Sequence, residues 1–277
     1  MILNTMTYEQ IHREIANDFR DVLDYYKRSL ATKVSKLACK SPFYPFRRFE
    51  FYTHPKSRNN YTYFCIVNKH SLWKNPEVVV FCEYEGKFGK EIITIAVGND
   101  HMTGRQILYT SVFQAHFFKR YYERFIKDER GEYDKIAIFL ARNAGALPLG
   151  KEAVSVNEPE EPGYNNVALL NIDGLCLGKR SIDNHGILIY KTFVPLNELY
   201  QAQYEKVLPQ YMQMVFHRAC TDNPHCVKTL EAIAADGVAK CNDIIHGDNT
   251  LTAEEKIRGY FQAYQDMCQE LGKYIII

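Results

Sequence analysis

The residues best suited to chemistry lie in one short stretch, QAHFFKRYYERF, at positions 114–125. It places His116, Arg120 and Arg124 at four-residue intervals among five aromatic rings. Histidine can transfer protons near neutral pH, and arginine keeps its charge and holds phosphate through a fixed fork of donors. Together the three side chains predict phosphodiester chemistry without a metal ion, and all three are candidate catalytic residues.

A helical wheel separates these charges from the rings. At 100° per residue, Arg120, Arg124 and Lys127 fall within about 80° of His116. The aromatic residues share the opposite arc: Phe117, Phe118, Tyr121, Tyr122 and Phe125. We therefore predict a buried aromatic face and an exposed charged face. A solvated surface stripe without any function has the same pattern, because charged residues four apart commonly pair on helix surfaces.

A second candidate is the strand-like run HGILIYKTFV, residues 185–194. Strand alternation puts Tyr190 and Thr192 on one face and Lys191 on the other, so either face can approach the charged helix. We predict Thr192 as a catalytic residue, and we predict Tyr190, Lys191 and Lys127 as phosphate-binding residues. An ordinary strand with a β-branched threonine and an outward lysine is the favoured alternative.

A third group has the residue types of zinc ligands: His217, Cys220, His225 and Cys226. His225 and Cys226 are adjacent, and the usual paired-ligand spacing is absent. The segment is therefore predicted to be two helix ends with buried cysteines rather than a metal site. Phosphate-binding loops, dinucleotide fingerprints and hydrolase motifs are also absent from the sequence. We predict no metal and no cofactor.

The elements that must position these residues begin with a helix over 7–39, opened by a Thr7–Gln10 capping box. Four strand candidates follow: FRRFEFYTH, YTYFCIVN, EVVVFCEY and EIITIAVG. The short connection EGKFG between the last two predicts a hairpin. Residues 1–104 therefore form an N-terminal helix and an antiparallel meander.

Residues 105–195 are predicted to be a central unit of two helices and a four-stranded antiparallel sheet. The first helix begins after Gly104 and continues through roughly Lys127, and the second is YDKIAIFLARNAG. The strands are EAVSVN, NNVALLNI, LCLGKR and GILIYKTFV, with a hairpin at Asp173-Gly174. Residues 196–277 are helical, with a capping box at Thr252. The fold class is α+β, and the three regions form separate domains or one compact body.

Composition narrows the functional classes. A net charge of +1 argues against a protein coated for nucleic acid, but the charge is uneven. Residues 1–60 hold eleven Lys or Arg against six Asp or Glu, while residues 196–277 hold seven against eleven. This asymmetry permits a local phosphate-binding face, or simply lets the two ends attract each other. Eight scattered cysteines without a C-x-x-C motif, no secretory signal and no membrane-length apolar run predict a cytoplasmic protein with free thiols.

The order of two helices and four antiparallel strands, with H-x3-R-x3-R on a helix and KTFV on a late strand, resembles the bacterial toxin-type endoribonucleases. These are the metal-independent RelE- and BrnT-like enzymes. The resemblance covers residues 105–195, and those toxins are typically much smaller than this chain. It implies that His116 acts as general acid or base while Arg120 and Arg124 stabilise charge on the phosphate. It further implies that Lys191, Thr192 or Tyr190 holds the phosphate or protonates the leaving oxygen of single-stranded RNA.

The alternative is a non-enzymatic interaction or structural protein of mixed α/β fold. The near-zero charge and the lack of a strong catalytic motif favour it, with a protein partner bound through the C-terminal helices. A third possibility, intermediate between a ribonuclease and an interaction protein, is a protein that binds RNA without cleaving it. An enzyme of the toxin type requires His116, Arg120 and the strand 187–194 to converge on one pocket.

Overall fold

The structure, a computed structural model, describes the chain in nine segments. These are residues 1–86, 89–99, 106–126, 131–143, 146–149, 161–184, 186–199, 201–247 and 250–275. The α-helices are α1 (Tyr8–Tyr25), α2 (Ala31–Cys39), α3 (Phe117–Tyr121), α4 (Glu132–Arg142), α5 (Gln201–Asp222), α6 (Val227–His246) and α7 (Ala253–Gly272). One π-helical turn, Tyr26–Leu30, joins α1 to α2, and another, Tyr122–Ile126, follows α3.

The strands are β1 (Phe46–Thr53), β2 (Asn60–Val67), β3 (Glu77–Gly86), β4 (Gly89–Asn99), β5 (Gln106–Phe113), β6 (Leu147–Leu149), β7 (Tyr164–Asn171), β8 (Gly174–Ser181) and β9 (Ile187–Val194). Within the described residues they form one nine-stranded sheet in the order β1-β2-β3-β4-β5-β9-β8-β7-β6. The β5–β9 pair is parallel, and the other neighbours are antiparallel. The predicted α+β class, with an N-terminal long helix and C-terminal helices, is confirmed.

Helices cover both faces of this sheet. One face carries α3 and α4, whose core includes Phe117, Tyr121 and Phe139 with Phe193 of β9. The opposite face carries α1 and α2 over the first five strands and the C-terminal helices over β7 and β8. Because side chains alternate along a strand, a central strand such as β4 contributes to both cores, with Ile93 on one face and Ile92 on the other.

Helix α1 begins as the sequence predicts. Thr7 accepts a hydrogen bond from the Gln10 backbone, and the Gln10 side chain accepts one from the Thr7 backbone. Its buried Asp18 accepts hydrogen bonds from the hydroxyl of Tyr61 at 2.8 Å and the amide of Asn59 at 2.7 Å. These bonds satisfy the buried carboxylate and fix the helix over β2.

The predicted helix over 105–127 is wrong in its first half. Residues 106–113 form β5, which pairs with β4 on one side and β9 on the other. A short apolar run such as ILYTSVF does not distinguish a strand from a helix by periodicity alone. The neighbouring strands decide the outcome, because β4 pairs with the whole of β5 and β9 pairs with residues 110–113. The helix therefore begins only at Phe117.

The predicted hairpin between β7 and β8 is present. Asn171 pairs with Gly174, so the two turn residues are Ile172 and Asp173, one position earlier than the sequence suggests. Gly174 opens β8 with a φ of 152°. The predicted strand EAVSVN, residues 152–157, and the glycine at 145 lie outside the described residues.

A β-bulge changes the predicted faces of β9. Leu177 pairs with Thr192 and the next residue, Gly178, pairs with Tyr190, so Lys191 is the extra residue. Tyr190 and Phe193 consequently pack in the same core under α3, although simple alternation puts them on opposite faces. Thr192 pairs with Leu177, which packs against the C-terminal helices on the opposite face of the sheet.

This bulge leads to a stability prediction. A Cβ on Gly178 would collide with the carbonyl oxygen of Ile189. Because backbone cannot yield as a flexible side chain does, we expect Gly178→Ala to lower the free energy of unfolding by about 3 kcal/mol in urea denaturation. Gly272→Ala is the control, since its Cβ would meet nothing within 4 Å. An unchanged urea midpoint for Gly178→Ala would contradict the close approach of β8 and β9.

Candidate nucleic-acid interface

His116 and Arg120 are exposed, as the helical wheel predicts. His116 is the exposed N-cap residue of α3, and the Arg120 side chain is 50% exposed. Phe117 and Tyr121 are fully buried on the other side. The amphipathic arrangement is therefore confirmed for the first turns of the segment.

The π turn after α3 alters the end of this surface. Each residue of a π turn advances by less than in an α-helix, so a wheel drawn at 100° per residue misplaces the residues after Tyr121. Phe125, predicted to be buried, is 39% exposed and stacks on Tyr121 with a centroid distance of 5.4 Å. Arg124, predicted to be exposed, is partly buried at 29% exposure.

Arg124 ties the helix to the end of β9. Its Nη1 donates to the carbonyl oxygen of Phe193 at 3.2 Å and lies 3.2 Å from the carboxylate of Glu198. At the other end of the segment, the Gln114 backbone N–H donates to the Tyr190 carbonyl at 3.0 Å. Residues 114–124 are therefore fixed along β9 at both ends.

The structure does not gather all the predicted site residues. Tyr190 is buried and stacks on Phe113 at 4.6 Å, so its ring belongs to the core. Thr192 lies on the opposite face of the sheet from His116, because the bulge at Lys191 reverses the alternation. Lys127 lies outside the described residues. Thr192 and Tyr190 thus do not join the exposed side chains of His116 and Arg120, and Arg124 lies partly buried at the end of the segment.

A buried carboxylate that the sequence analysis missed organises the helices beside this surface. Asp173 accepts the Tyr121 hydroxyl at 2.7 Å, the Asn143 amide at 2.9 Å and two guanidinium nitrogens of Arg142 at 2.7 Å. The Asp173 side chain is fully buried. Burial beside this carboxylate raises the pKa of Tyr121. In the sequence, Asp173 is predicted only as part of a hairpin turn with Gly174, and nothing there indicates a buried charge.

Two arginines and one exposed ring line a cavity at this junction. The cavity has a volume of about 510 Å³ and lies between the segment 124–125, the end of β9, and helices α5 and α7. Arg124, Phe125 and Arg142 line it together with the polar residues Asn197 and Gln269. The Arg142 guanidinium lies 5.6 Å from the centroid of the Phe125 ring. Two guanidinium groups beside an exposed aromatic ring suit a ligand that carries both a phosphate and an aromatic base.

A second polar group unsuspected from the sequence lies under the start of α1. The buried carboxyl of Glu91 accepts the hydroxyl of Tyr84 through Oε2, while its Oε1 has no hydrogen-bond partner among the described residues. Gly86 packs directly against this carboxyl, and Tyr8 accepts the Gln114 amide at 3.3 Å nearby. Burial raises the pKa of Glu91, and the Tyr84 hydrogen bond partly opposes that rise.

The zinc-type residues lie towards helical ends as predicted, but Cys220 and Cys226 are half-buried rather than buried. His217 and Cys220 lie in α5, and His225 and Cys226 lie in the short turn before α6. All eight cysteines are free thiols. Among the described residues, no three His, Cys, Asp or Glu side chains are grouped to hold a metal ion. None of the described helices is both long and apolar enough to span a membrane.

Comparisons of the chain with protein-family models, with curated proteins and with solved structures found no match. The resemblance of residues 105–195 to toxin-type ribonucleases therefore stays a prediction.

The Asp173 network leads to a second stability prediction. Asp173→Ala leaves the Arg142 guanidinium without its buried partner, so we expect unfolding free energy to fall by about 3 kcal/mol in urea denaturation. The exposed Asp183, in the next turn of the same sheet, is the matched control, and Asp183→Ala should change stability by about 0.5 kcal/mol or less. Equal stability of the two variants would show that the network does not hold the fold together.

Glu91 leads to a prediction about pH. Its pKa is raised in the folded protein, so ionising Glu91 costs folding free energy as the pH rises through the folded-state value. Below the unfolded pKa the acid is neutral in both states and this cost is absent. The stability of Glu91→Gln relative to wild type should therefore increase as the pH rises from acidic to neutral. Thermal melts across this range would measure it, with exposed Glu85→Gln as the control; a constant difference would refute the prediction.

Proposed function

We propose that this protein binds single-stranded RNA at the cavity formed by Arg124, Phe125 and Arg142. The observation that carries the proposal is the placement of two guanidinium groups beside an exposed ring in a cavity of about 510 Å³. Phosphates pair with arginine forks, and unpaired bases stack on aromatic rings. Double-stranded nucleic acid does not offer a free base face to such a site.

The exposed helix face extends this site. His116, Lys119 and Arg120 follow the same segment away from the cavity, and all three are exposed. An extended strand that inserts one base beside Phe125 can contact these side chains with its neighbouring phosphates. Residues 114–125 contain three Lys or Arg and one Glu, on a protein whose net charge is only +1. This local excess of positive charge supports binding of the RNA backbone along the segment.

The carboxylates near the cavity differ in how readily RNA can replace them. Glu198 is 43% exposed and pairs with Arg124 at 3.2 Å, so solvent weakens this pair and an RNA phosphate can displace the carboxylate. Asp173 is buried and holds Arg142 through two hydrogen bonds, so that pair remains intact. Arg124 is therefore the expected phosphate ligand, and Arg142 positions the Phe125 ring.

Metal-independent cleavage is the narrower form of this proposal. It assigns acid–base chemistry to His116 and charge stabilisation to Arg120 and Arg124. The position of Thr192 across the sheet and the buried ring of Tyr190 favour binding over cleavage. A protein partner bound through the C-terminal helices remains a separate proposal.

The test compares two arginine variants for binding to a fluorescein-labelled single-stranded RNA by anisotropy. Arg124→Ala should lower the affinity about tenfold and flatten its dependence on salt, because one phosphate contact is lost. Arg28→Ala is the matched control: Arg28 is an exposed arginine in the π turn after α1, on the opposite face of the sheet, and pairs with Asp24 at 3.3 Å. Phe125→Ala should also weaken binding about tenfold through lost stacking.

Equal affinities for wild type, Arg124→Ala and Phe125→Ala would refute the RNA site. The same RNA is then incubated with wild type and His116→Ala in excess chelator. Products with 2′,3′-cyclic phosphate ends from wild type alone would support cleavage by His116. Intact RNA with undiminished binding would restrict the function to binding.

A further inference from the structure

Helices α6 and α7 form a hairpin at the C-terminal side of the molecule. Few of their residues are buried: Leu230, Gly237 and Cys241 in α6, and Met267, Cys268 and Leu271 in α7. Gly237 lets the two helices approach closely, because a Cβ there would collide with the side chain of Met267. Large apolar side chains of the same pair remain exposed, namely Val238, Ile245 and Ile257.

A groove of about 490 Å³ runs between these two helices. Its floor is apolar and includes Ile233, Ile244, Ala263 and Met267. A Cβ on Gly259 would lie 3.1 Å from the side chain of Ile244, so the glycine lets α7 approach α6 closely at this point. A groove between two helices with an apolar floor has the shape that accepts the apolar face of a third helix.

The rim of this groove is acidic. It carries four carboxylates and one lysine: Asp236, Asp243, Asp266, Glu270 and Lys240. Lys240 lies 2.7 Å from Asp236, and Lys273 pairs with Glu270, so Asp243 on α6 and Asp266 on α7 give the rim its excess of negative charge. Asp236 and Lys240 follow one another by four residues along α6, and Asp266 and Glu270 do so along α7. The charges therefore flank the apolar floor on both sides.

We infer that the α6–α7 groove binds a basic amphipathic helix of a partner protein. The apolar floor takes the partner's hydrophobic stripe, and the two acidic rows pair with lysines or arginines that border that stripe. A second copy of this chain is disfavoured because its own acidic groove would face these carboxylates across a two-fold interface. RNA is disfavoured for the same electrostatic reason, so this surface is distinct from the cavity at Arg124.

The probe is a synthetic amphipathic helix of leucine and lysine, titrated into the full-length protein and followed by fluorescence anisotropy. A peptide of leucine and glutamate with the same apolar stripe is the control ligand. We expect the lysine peptide to bind and the glutamate peptide to bind at least about tenfold more weakly. Asp243→Asn with Asp266→Asn should weaken the lysine peptide about tenfold, because two rim charges are lost.

The matched control removes two carboxylates of the same helices outside the groove, Glu231→Gln with Glu254→Gln, and should leave the affinity unchanged. Ala263→Lys places a charged side chain on the floor and should abolish binding, which tests the groove without the two asparagine substitutions. Thermal melting establishes that each variant is folded. RNA is not used in these titrations, so their result is independent of the cavity at Arg124.

Several outcomes would overturn the inference. Equal binding of both peptides, or affinity that neither the rim variants nor Ala263→Lys reduce, would show that the groove is not the site. Self-association of the wild type that Ala263→Lys abolishes, measured by analytical ultracentrifugation, would assign the groove to a second copy instead.

Discussion

The parallel pairing of β5 with β9 is the constraint on which the rest of the structure depends. It joins the antiparallel strands β1–β5 to β6–β9, so that one sheet runs through the molecule. One residue beyond β5, the Gln114 backbone N–H still donates to the Tyr190 carbonyl of β9. This hydrogen bond fixes the point at which the chain leaves the sheet and enters the charged helical segment. Because parallel strands need a long crossover connection, residues 114–186 must cross between them, and this crossover carries the candidate site.

Asp173 then orients that crossover. A carboxylate removed from water is stable only when donors surround it, and here the carboxylate and its donors join three different parts of the chain. Tyr121 belongs to α3, Arg142 to α4, and Asp173 itself to the β7–β8 turn. The requirement to satisfy one buried charge thus brings Arg142 next to Phe125 and forms the wall of the cavity. The cavity is a consequence of this network rather than of any contiguous motif.

The electrostatic design separates two surfaces. The segment around Arg120 and Arg124 is basic and lies beside an exposed ring, which suits an anionic ligand with bases. The α6–α7 groove is acidic and has an apolar floor, which suits a basic helix. A net charge near zero therefore conceals two local fields of opposite sign. Each field acts over about a Debye length, so the two surfaces can serve different ligands on one molecule.

Much of the fold follows from local patterns in the sequence. The capping boxes at Thr7 and Thr252, the strands β1–β4 and the amphipathic segment at His116 depend on neighbours a few residues away, so the sequence alone determined them. Tertiary structure decided that residues 106–113 form a strand. It also decided that β9 has a bulge at Lys191, which places Thr192 on the opposite face of the sheet from His116. It also decided that Arg124 and Arg142 meet at one cavity. These outcomes depend on partners far apart in the chain, and local periodicity carries no information about such partners.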